Sequence, residues 1–283
     1  MASGCALTLV RVSNAGKPLW RDGFTKGEAV AYYERVAPVL LPHLAGRPVT
    51  LRRFPDGVDG LNWYQFQWPR GHPDWLRSVV LGRFAYCLVG DVPSLLWAAN
   101  LAAVELHPLL APAERPDEPS FVVLDLDPGP PAGLAECRRA ALAARDVLRK
   151  TGLQCFAKTS GSLGLHLYVP LAPGHRFAAT KAFARTLVER LASELPELVV
   201  ARTAVEGRRG RVLVDWVQNS RRRSTVAAYS LRAGPTPTVS TPVTWDEVEG
   251  GASLVFGPAE VLARVERVGD LFAPVLRDDQ RLR

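Results

Sequence analysis

Three aspartates in this chain sit where carboxylates are expensive. In FVVLDLDPGP, residues 121–130, four apolar residues lead into Asp125 and Asp127, and a Pro-Gly-Pro turn follows. In RVLVDWV, residues 211–217, Asp215 lies inside a second apolar run. A buried carboxylate without a partner is costly. Successive strand residues point to opposite faces, so Asp125 and Asp127 share one face while Leu124 and Leu126 share the other. Two such carboxylates repel unless a cation or a proton lies between them. Mg2+ and Mn2+ prefer oxygen ligands and suit a strand end beside a turn. With Asp215 as a third ligand, the set fits a two-metal centre that activates an attacking oxygen and stabilises a leaving one. The alternative is that Asp127-Pro-Gly only starts a turn and an arginine neutralises Asp125.

The loop in KTSGSLGLHLYVPL, residues 158–171, adds anion chemistry. Gly161 and Gly164 let backbone amides approach an anion, and Ser160 offers a hydroxyl. On the strand that follows, His166 and Tyr168 face away from Leu165 and Leu167. A plain β-hairpin with a structural histidine would read similarly. Basic runs flank Asp215, GRRGR before it and SRRR after it, and together with the loop they suit a bound triphosphate. Taken alone, such runs are solvated loops.

The elements that must position these residues follow from pattern. TKGEAVAYYERVAPVLLPHL opens with a capping box, Thr25 and Glu28, and predicts a helix to about Leu44. VTLRRF reads as a short strand and PDGVDG as a turn. SLLWAANLAAVELH, residues 94–107, predicts a core helix, and a proline-rich connector leads to the strand at 121. LAECRRAALAARDVLRK predicts a helix ended by Thr151-Gly152; QCFAKTSGSLGLHLYVPL predicts strand, turn, strand. ATKAFARTLVERLASEL predicts a further helix, RVLVDWVQN and TVAAYSL predict strands, and PAEVLARVERV a last helix after WDEV. The alternation is mixed α/β, an α+β class, without internal repeats. No linker divides it, so a single domain over 1–283 is expected, with an N-terminal subregion of about 1–110 and a catalytic core of about 111–283.

Composition narrows the class. The 283 residues are 47% hydrophobic and 22% charged, which fits a globular core. No run approaches the length of a membrane span, and the N-terminus lacks the flanks of a signal peptide. Cys5, Cys87, Cys137 and Cys155 are far apart, which argues against a zinc site or a disulfide framework and for reduced thiols in the cytoplasm. A net charge of +7 favours a polyanionic partner.

Several motifs in one order then carry a resemblance: GKPLW, TKGEAVAYYERVAPVLLPHLAGRP, RRFPDGVDG, WAANLAAVELHP, LDLDPG, TSGSLGLHLYVPL, VDWVQN, YSLRA and PTVSTPVTW. From about Leu7 to Leu271 the chain resembles the polymerase domain of bacterial non-homologous end-joining DNA ligase D, in the archaeo-eukaryotic primase superfamily. The resemblance implies a primase-like core with central antiparallel or mixed sheets flanked by helices, in a stand-alone primase-polymerase form. It implies that Asp125, Asp127 and Asp215 bind Mn2+ or Mg2+, and that His107, Ser160, His166, Arg208 and Arg232 hold the incoming NTP or dNTP. It implies that Lys17 and Lys26 grip a 5′-phosphate at a DNA gap or break, while Trp63 and Tyr64 stack on template. Lys26 has a physical argument of its own, because it lies in the first helical turn, where free amides and the dipole favour an anion.

The implied activity is metal-dependent, DNA-directed nucleotidyl transfer that extends primers or fills short gaps, with a preference for ribonucleotides and with Ku and a separate DNA ligase as partners near the nucleoid. The chain also departs from the family. Leu163 stands where Lys or Arg is usual, Phe66 where a basic residue is common, and LGRFAYCLVG is shorter than the end-bridging loop of many relatives. A rival expectation is therefore a DNA-end-binding accessory factor with a weakened catalytic centre. A metal-dependent phosphohydrolase would fit the acidic strands but leaves the lysines and the Ser160–His166 loop unexplained.

Overall fold

A computed structural model of the chain describes residues 10–201, 207–277 and 279–282. Cys5 and the start of the resemblance at Leu7 lie outside the described residues; Cys87, Cys137 and Cys155 are free, buried thiols. Among the described residues no helix is long and apolar enough to cross a membrane. The chain forms two compact units. One comprises the described part of Met1–Leu109 with Ser224–Ser240 and Phe256–Asp270; the other comprises Leu110–Arg223, Thr241–Val255 and the described part of Leu271–Arg283.

In the first unit, α1 (Lys26–Leu44) begins as its sequence requires: Glu28 N donates to Thr25 Oγ1 at 3.2 Å, and Thr25 N to Glu28 Oε2 at 2.7 Å. Its buried face carries Tyr33, Val36, Leu40 and Leu44. Two tyrosines tie this helix to the returning segment, Tyr32 Oη donating to Tyr229 O at 2.8 Å and Tyr33 Oη approaching Ser230 Oγ at 3.2 Å. The sheet of this unit has β1 (Pro48–Arg53) at its centre. β5 (Ala103–Pro108) pairs with it along one edge, and β2 (Trp63–Gln65) and β4 (Phe84–Leu88) pair with it as well, with β3 (Ser78–Leu81) beyond β4.

Residues 94–107, expected as one helix, are two elements. Helix α2 (Val92–Asn100) starts at the Asp91 cap, and the chain then turns through Ala102 at φ +56° into β5. No glycine or proline marks that break. The strand forms because Ala103–Pro108 completes the ladder of β1, a tertiary gain that outweighs local helix preference. TVAAYSL is also mostly not a strand. Tyr229 is left-handed at φ +66°, Ala227 N bonds Leu106 O, and only β11 (Leu231–Arg232) pairs, with β12 (Thr238–Val239).

The second unit is built on a six-stranded sheet in the order β13 (Pro242–Val243), β7 (Phe156–Thr159), β8 (Leu165–Pro170), β6 (Phe121–Pro128), β10 (Val212–Asp215), β9 (Val199–Val200). All its pairs are antiparallel except β10 with β9. Helices α3 (Leu134–Lys150) and α4 (Phe177–Glu194) pack against β6, α5 (Trp245–Glu249) packs on α3, and α6 (Pro258–Val268) belongs to the first unit. The expected strand RVLVDWVQN stops at Asp215. Its carboxylate accepts Val217 N at 2.7 Å, a local turn that competes with the ladder, and Val217–Asn219 becomes a 3-10 turn. Asn219 is fully buried and bonds both Val123 N (2.8 Å) and Val123 O (2.7 Å), fixing that turn to β6. Losing its side chain would leave two buried backbone groups unpaired, at about 1–3 kcal/mol each.

Candidate active site

Strand register gathers the three aspartates. Asp125 and Asp215 are directly opposed in the β6–β10 pair, and Asp127 lies two residues along β6, opposite Leu213. Directly opposed side chains on one face stand about 5 Å apart at Cβ. The same register extends across the sheet: Asp125 faces His166 on β8, and His166 faces Lys158 on β7. Lys158, His166, Asp125 and Asp215 thus form one row over four strands. Lys158 Nζ lies 3.0 Å from His166 Nδ1, and His166 Nε2 lies 3.2 Å from Asp125 Oδ1. An ammonium only donates, so with Lys158 charged Nδ1 accepts and the imidazole turns an Nε2–H toward Asp125. Lys158 is completely buried and went unnoticed in the sequence. The available signal was its hairpin symmetry with His166 about the TSGSLG turn.

The carboxylates differ in electrostatics. Burial pushes the Asp215 carboxyl above the ordinary carboxylate range; the Val217 amide pulls it back and the charge of Asp125 pushes it up again. A raised value favours the protonated form on folding, so this stabilisation is present at low pH and is lost as pH rises through the raised value. Asp215→Asn, neutral at every pH, is therefore expected to raise the melting temperature at pH 7 in metal-free buffer by about 1–2 °C. A lowered or unchanged midpoint in a thermal melt would contradict this.

Among the described residues no three of His, Cys, Asp and Glu form a ready-made metal cage. Asp127 is ion-paired with Arg208, and Asp125 faces His166. The donor chemistry nevertheless fits a hard divalent cation. Three carboxylates share one face, and Asp125 and Asp215 repel across the register. The turn reading of Asp127 and the metal reading are compatible, because a cation would take carboxylate oxygens now held by Arg208 and His166.

Ser160 shapes the loop. Its Oγ accepts Ser162 N and Gly164 N, both at 3.1 Å, and its N donates to Gly164 O at 2.9 Å. With both lone pairs taken, the hydroxyl retains its proton to offer to an anion. The amides of Ser162 and Gly164 are therefore committed within the loop. Gly161 supplies a φ of +76°, and Gly164 permits contact with β6, since a Cβ there would overlap Leu126 O. Leu163 is 63% exposed.

In the first unit, Glu105 is fully buried and accepts from His107 Nε2 (2.8 Å), Arg232 Nη1 (2.8 Å), Arg52 Nη1 (3.3 Å) and Ala233 N (3.1 Å). His107 and Arg232 are legible in the sequence; the carboxylate that joins them is not. Its signal was a lone Glu two residues before His107 in an apolar strand. Trp63 and Tyr64 are 42% and 57% exposed, so they are not core. They are adjacent on β2 and point to opposite faces. Arg53 lies 5.2 Å from the Trp63 ring; Arg52 lies 5.4 Å from the Tyr64 ring, which also meets His107 at 5.4 Å.

Lys17 is exposed and pairs with Asp56 at 3.2 Å. Lys26 is buried, and its ammonium meets Ser13 Oγ (3.1 Å), Asn100 Oδ1 (3.1 Å) and Asn100 O (3.3 Å). Burial and, second, the charge of Lys17 lower its pKa. The helix start offers no free amides here, contrary to expectation: Lys26 N bonds Lys17 O, Gly27 N bonds Ala15 O and Glu28 N bonds Thr25 Oγ1. Any anion at this place would be held by the two ammonium groups, whose mutual repulsion it would relieve.

Residues 25–272 match the family described as LigD, primase-polymerase domain. The chain is 38% identical over 275 residues to the multifunctional non-homologous end joining DNA repair protein LigD of Mycobacterium tuberculosis H37Rv, covering 93% of this chain and 36% of that protein. It is 29% identical to the bifunctional non-homologous end joining protein LigD of Bacillus subtilis, covering 90% of this chain and 42% of the relative. The chain thus spans about a third of the Mycobacterium relative's length. Among solved structures it is similar to the polymerase domain from Mycobacterium tuberculosis ligase D in complex with DNA, with a TM-score of 0.89 and 36% identity, over 94% of this chain and 98% of that one.

Proposed function

This chain belongs to the LigD primase-polymerase family, and from that premise we propose that it is a DNA-directed nucleotidyltransferase that extends primers or fills short gaps at broken DNA ends. The observation that carries the proposal is the placement of Asp125, Asp127 and Asp215 on one face of β6 and β10, in register with His166 and Lys158. In the proposed reaction the primer 3′-hydroxyl oxygen bonds to the α-phosphorus of the nucleotide as the bond to the pyrophosphate oxygen breaks, in line, and the hydroxyl proton passes to solvent. The three aspartates would hold Mn2+ or Mg2+, which when bound supplies charge stabilisation at the phosphoryl oxygens.

The chain's own groups do the rest. Ser160 offers its hydroxyl proton to a phosphate oxygen, and His166, whose Nε2–H faces Asp125 until a cation takes that oxygen, is assigned to the incoming nucleotide. Arg208, now on Asp127, is the guanidinium nearest to exchanging that carboxylate for a phosphate. His107 and Arg232 carry the same family assignment to the nucleotide. Trp63 and Tyr64 are assigned to template stacking, supported by their exposure. The proposal includes a preference for ribonucleotides, tested by comparing single-nucleotide gap filling with ribo- and deoxyribonucleotides. Faster addition of the deoxy form would overturn that part.

Lys17 and Lys26 are assigned to the downstream 5′-phosphate. Lys17→Ala with Lys26→Ala is expected to weaken binding to a 5′-phosphorylated gap by roughly tenfold while leaving a 5′-hydroxyl gap nearly unaffected, measured by fluorescence anisotropy. Equal weakening on both would point to diffuse electrostatics. A second reading has one observation in its favour, the exposed apolar Leu163 in the loop that would meet the triphosphate. It is an end-binding accessory factor with weak catalysis. Discrimination of 5′-phosphate without extension on any substrate would favour it.

A further inference from the structure

A carboxylate with no exposure and four donors is a costly arrangement unless each donor is held for a purpose. Glu105 lies on β5 directly opposite Arg52 of β1, and His107 lies two residues on, on the same face. Arg232 and Ala233 reach it from β11 and the residue that follows. Burial would raise the Glu105 carboxyl, but the His107 hydrogen bond and the charge of Arg232 outweigh it and hold it at about 2. The group is therefore an ionised, acceptor-only carboxylate.

That state dictates the chemistry of its neighbours. Burial lowers the proton affinity of His107, and the hydrogen bond to Glu105 offsets this only in part. A neutral imidazole facing a carboxylate must place its proton on Nε2, which leaves Nδ1 as a lone pair. Among the described residues Nδ1 has no hydrogen-bond partner. Arg232 spends Nη1 on Glu105, while its Nε is buried without a partner. The cluster thus keeps one acceptor and one donor without a protein partner, a pattern answered by a ligand with both a hydroxyl and an anionic oxygen.

We propose that Glu105 is a positioning residue for the nucleotide, fixing His107 in the Nε2–H tautomer and aiming Arg232, so that Nδ1 accepts a nucleotide hydroxyl while the guanidinium meets a phosphate oxygen. The role rests on the nucleotidyltransferase reading, but the tautomer does not. Nitrogen-15 long-range NMR of the wild-type imidazoles, with His107 assigned from a His107→Asn spectrum, is expected to show protonated Nε2 and bare Nδ1. Glu105→Gln is expected to abolish that single-tautomer signature and to weaken ATP binding by roughly tenfold in calorimetry, with the Kd for gapped DNA unchanged. In the His107→Asn background the same change is expected to add little. A wild-type Nδ1–H tautomer would overturn the proposal whether or not the protein extends primers. So would a Glu105→Gln protein with unchanged ATP affinity, or one that loses ATP and DNA binding alike with a lower melting temperature, as a purely structural carboxylate would.

Discussion

Asp125→Ala is expected to slow nucleotide incorporation by about 10³-fold or more, equivalent to about 4 kcal/mol of transition-state stabilisation. Asp125 is the carboxylate that belongs to both halves of the row: Asp215 opposes it on β10 and His166 reaches it from β8. Removing it would take away a proposed oxygen ligand for a divalent cation and the carboxylate that His166 Nε2 meets at 3.2 Å. The loss should be chemical rather than structural. Asp125 is only half-buried, and its charge raises the Asp215 carboxyl, so the variant's melting temperature should match or exceed the wild type's. Asp125→Asn keeps the shape and removes the charge, and it should be nearly as slow. Single-turnover incorporation together with thermal melts separates the two outcomes. A variant within tenfold of wild type would remove the carboxylate row from the mechanism.

Gly164→Ala is expected to destabilise the second unit by about 3 kcal/mol and to reduce incorporation with it. The added Cβ would overlap Leu126 O, the carbonyl between Asp125 and Asp127 on β6. Both clashing groups are backbone-bound, so no side-chain rotation can relieve the overlap. Moving the loop would break the Gly164 N–Ser160 Oγ and Ser160 N–Gly164 O bonds; moving β6 would shift the aspartates. Gly90→Ala is the matched control, because a Cβ there meets nothing within 4 Å. Denaturant midpoints of the two variants give the comparison, and equal midpoints would contradict the packing argument.

Local signals made much of this structure legible in advance. The capping box of α1, the apolar run of β6, the TSGSLG hairpin and the amphipathic α3 each follow from their own residues. The family assignment came from motif order, and the match over residues 25–272 bears it out. What stayed hidden depended on distant partners. β5 reads as helix until β1 is there to pair with it. TVAAYSL reads as strand until Tyr229 turns left-handed and its neighbours bond elsewhere. Lys158 and Glu105 look like isolated charges until strand register sets them against His166 and Arg52. The amides at the start of α1 look free until Lys17 O and Ala15 O are seen to take them. In each case the deciding interaction spans the strand register or a loop, where periodicity carries no information.

Asp125, Asp127 and Asp215 are proposed to make this chain a templated nucleotidyltransferase. The most direct test is addition to a one-nucleotide gap bearing a 5′-phosphate, with Mn2+ present or removed by chelation. The expected result is addition of the complementary nucleotide to the primer 3′ end with Mn2+, none after chelation, and none by Asp125→Ala. No addition by the wild type with either ribo- or deoxyribonucleotides, or equal addition by Asp125→Ala, would contradict it.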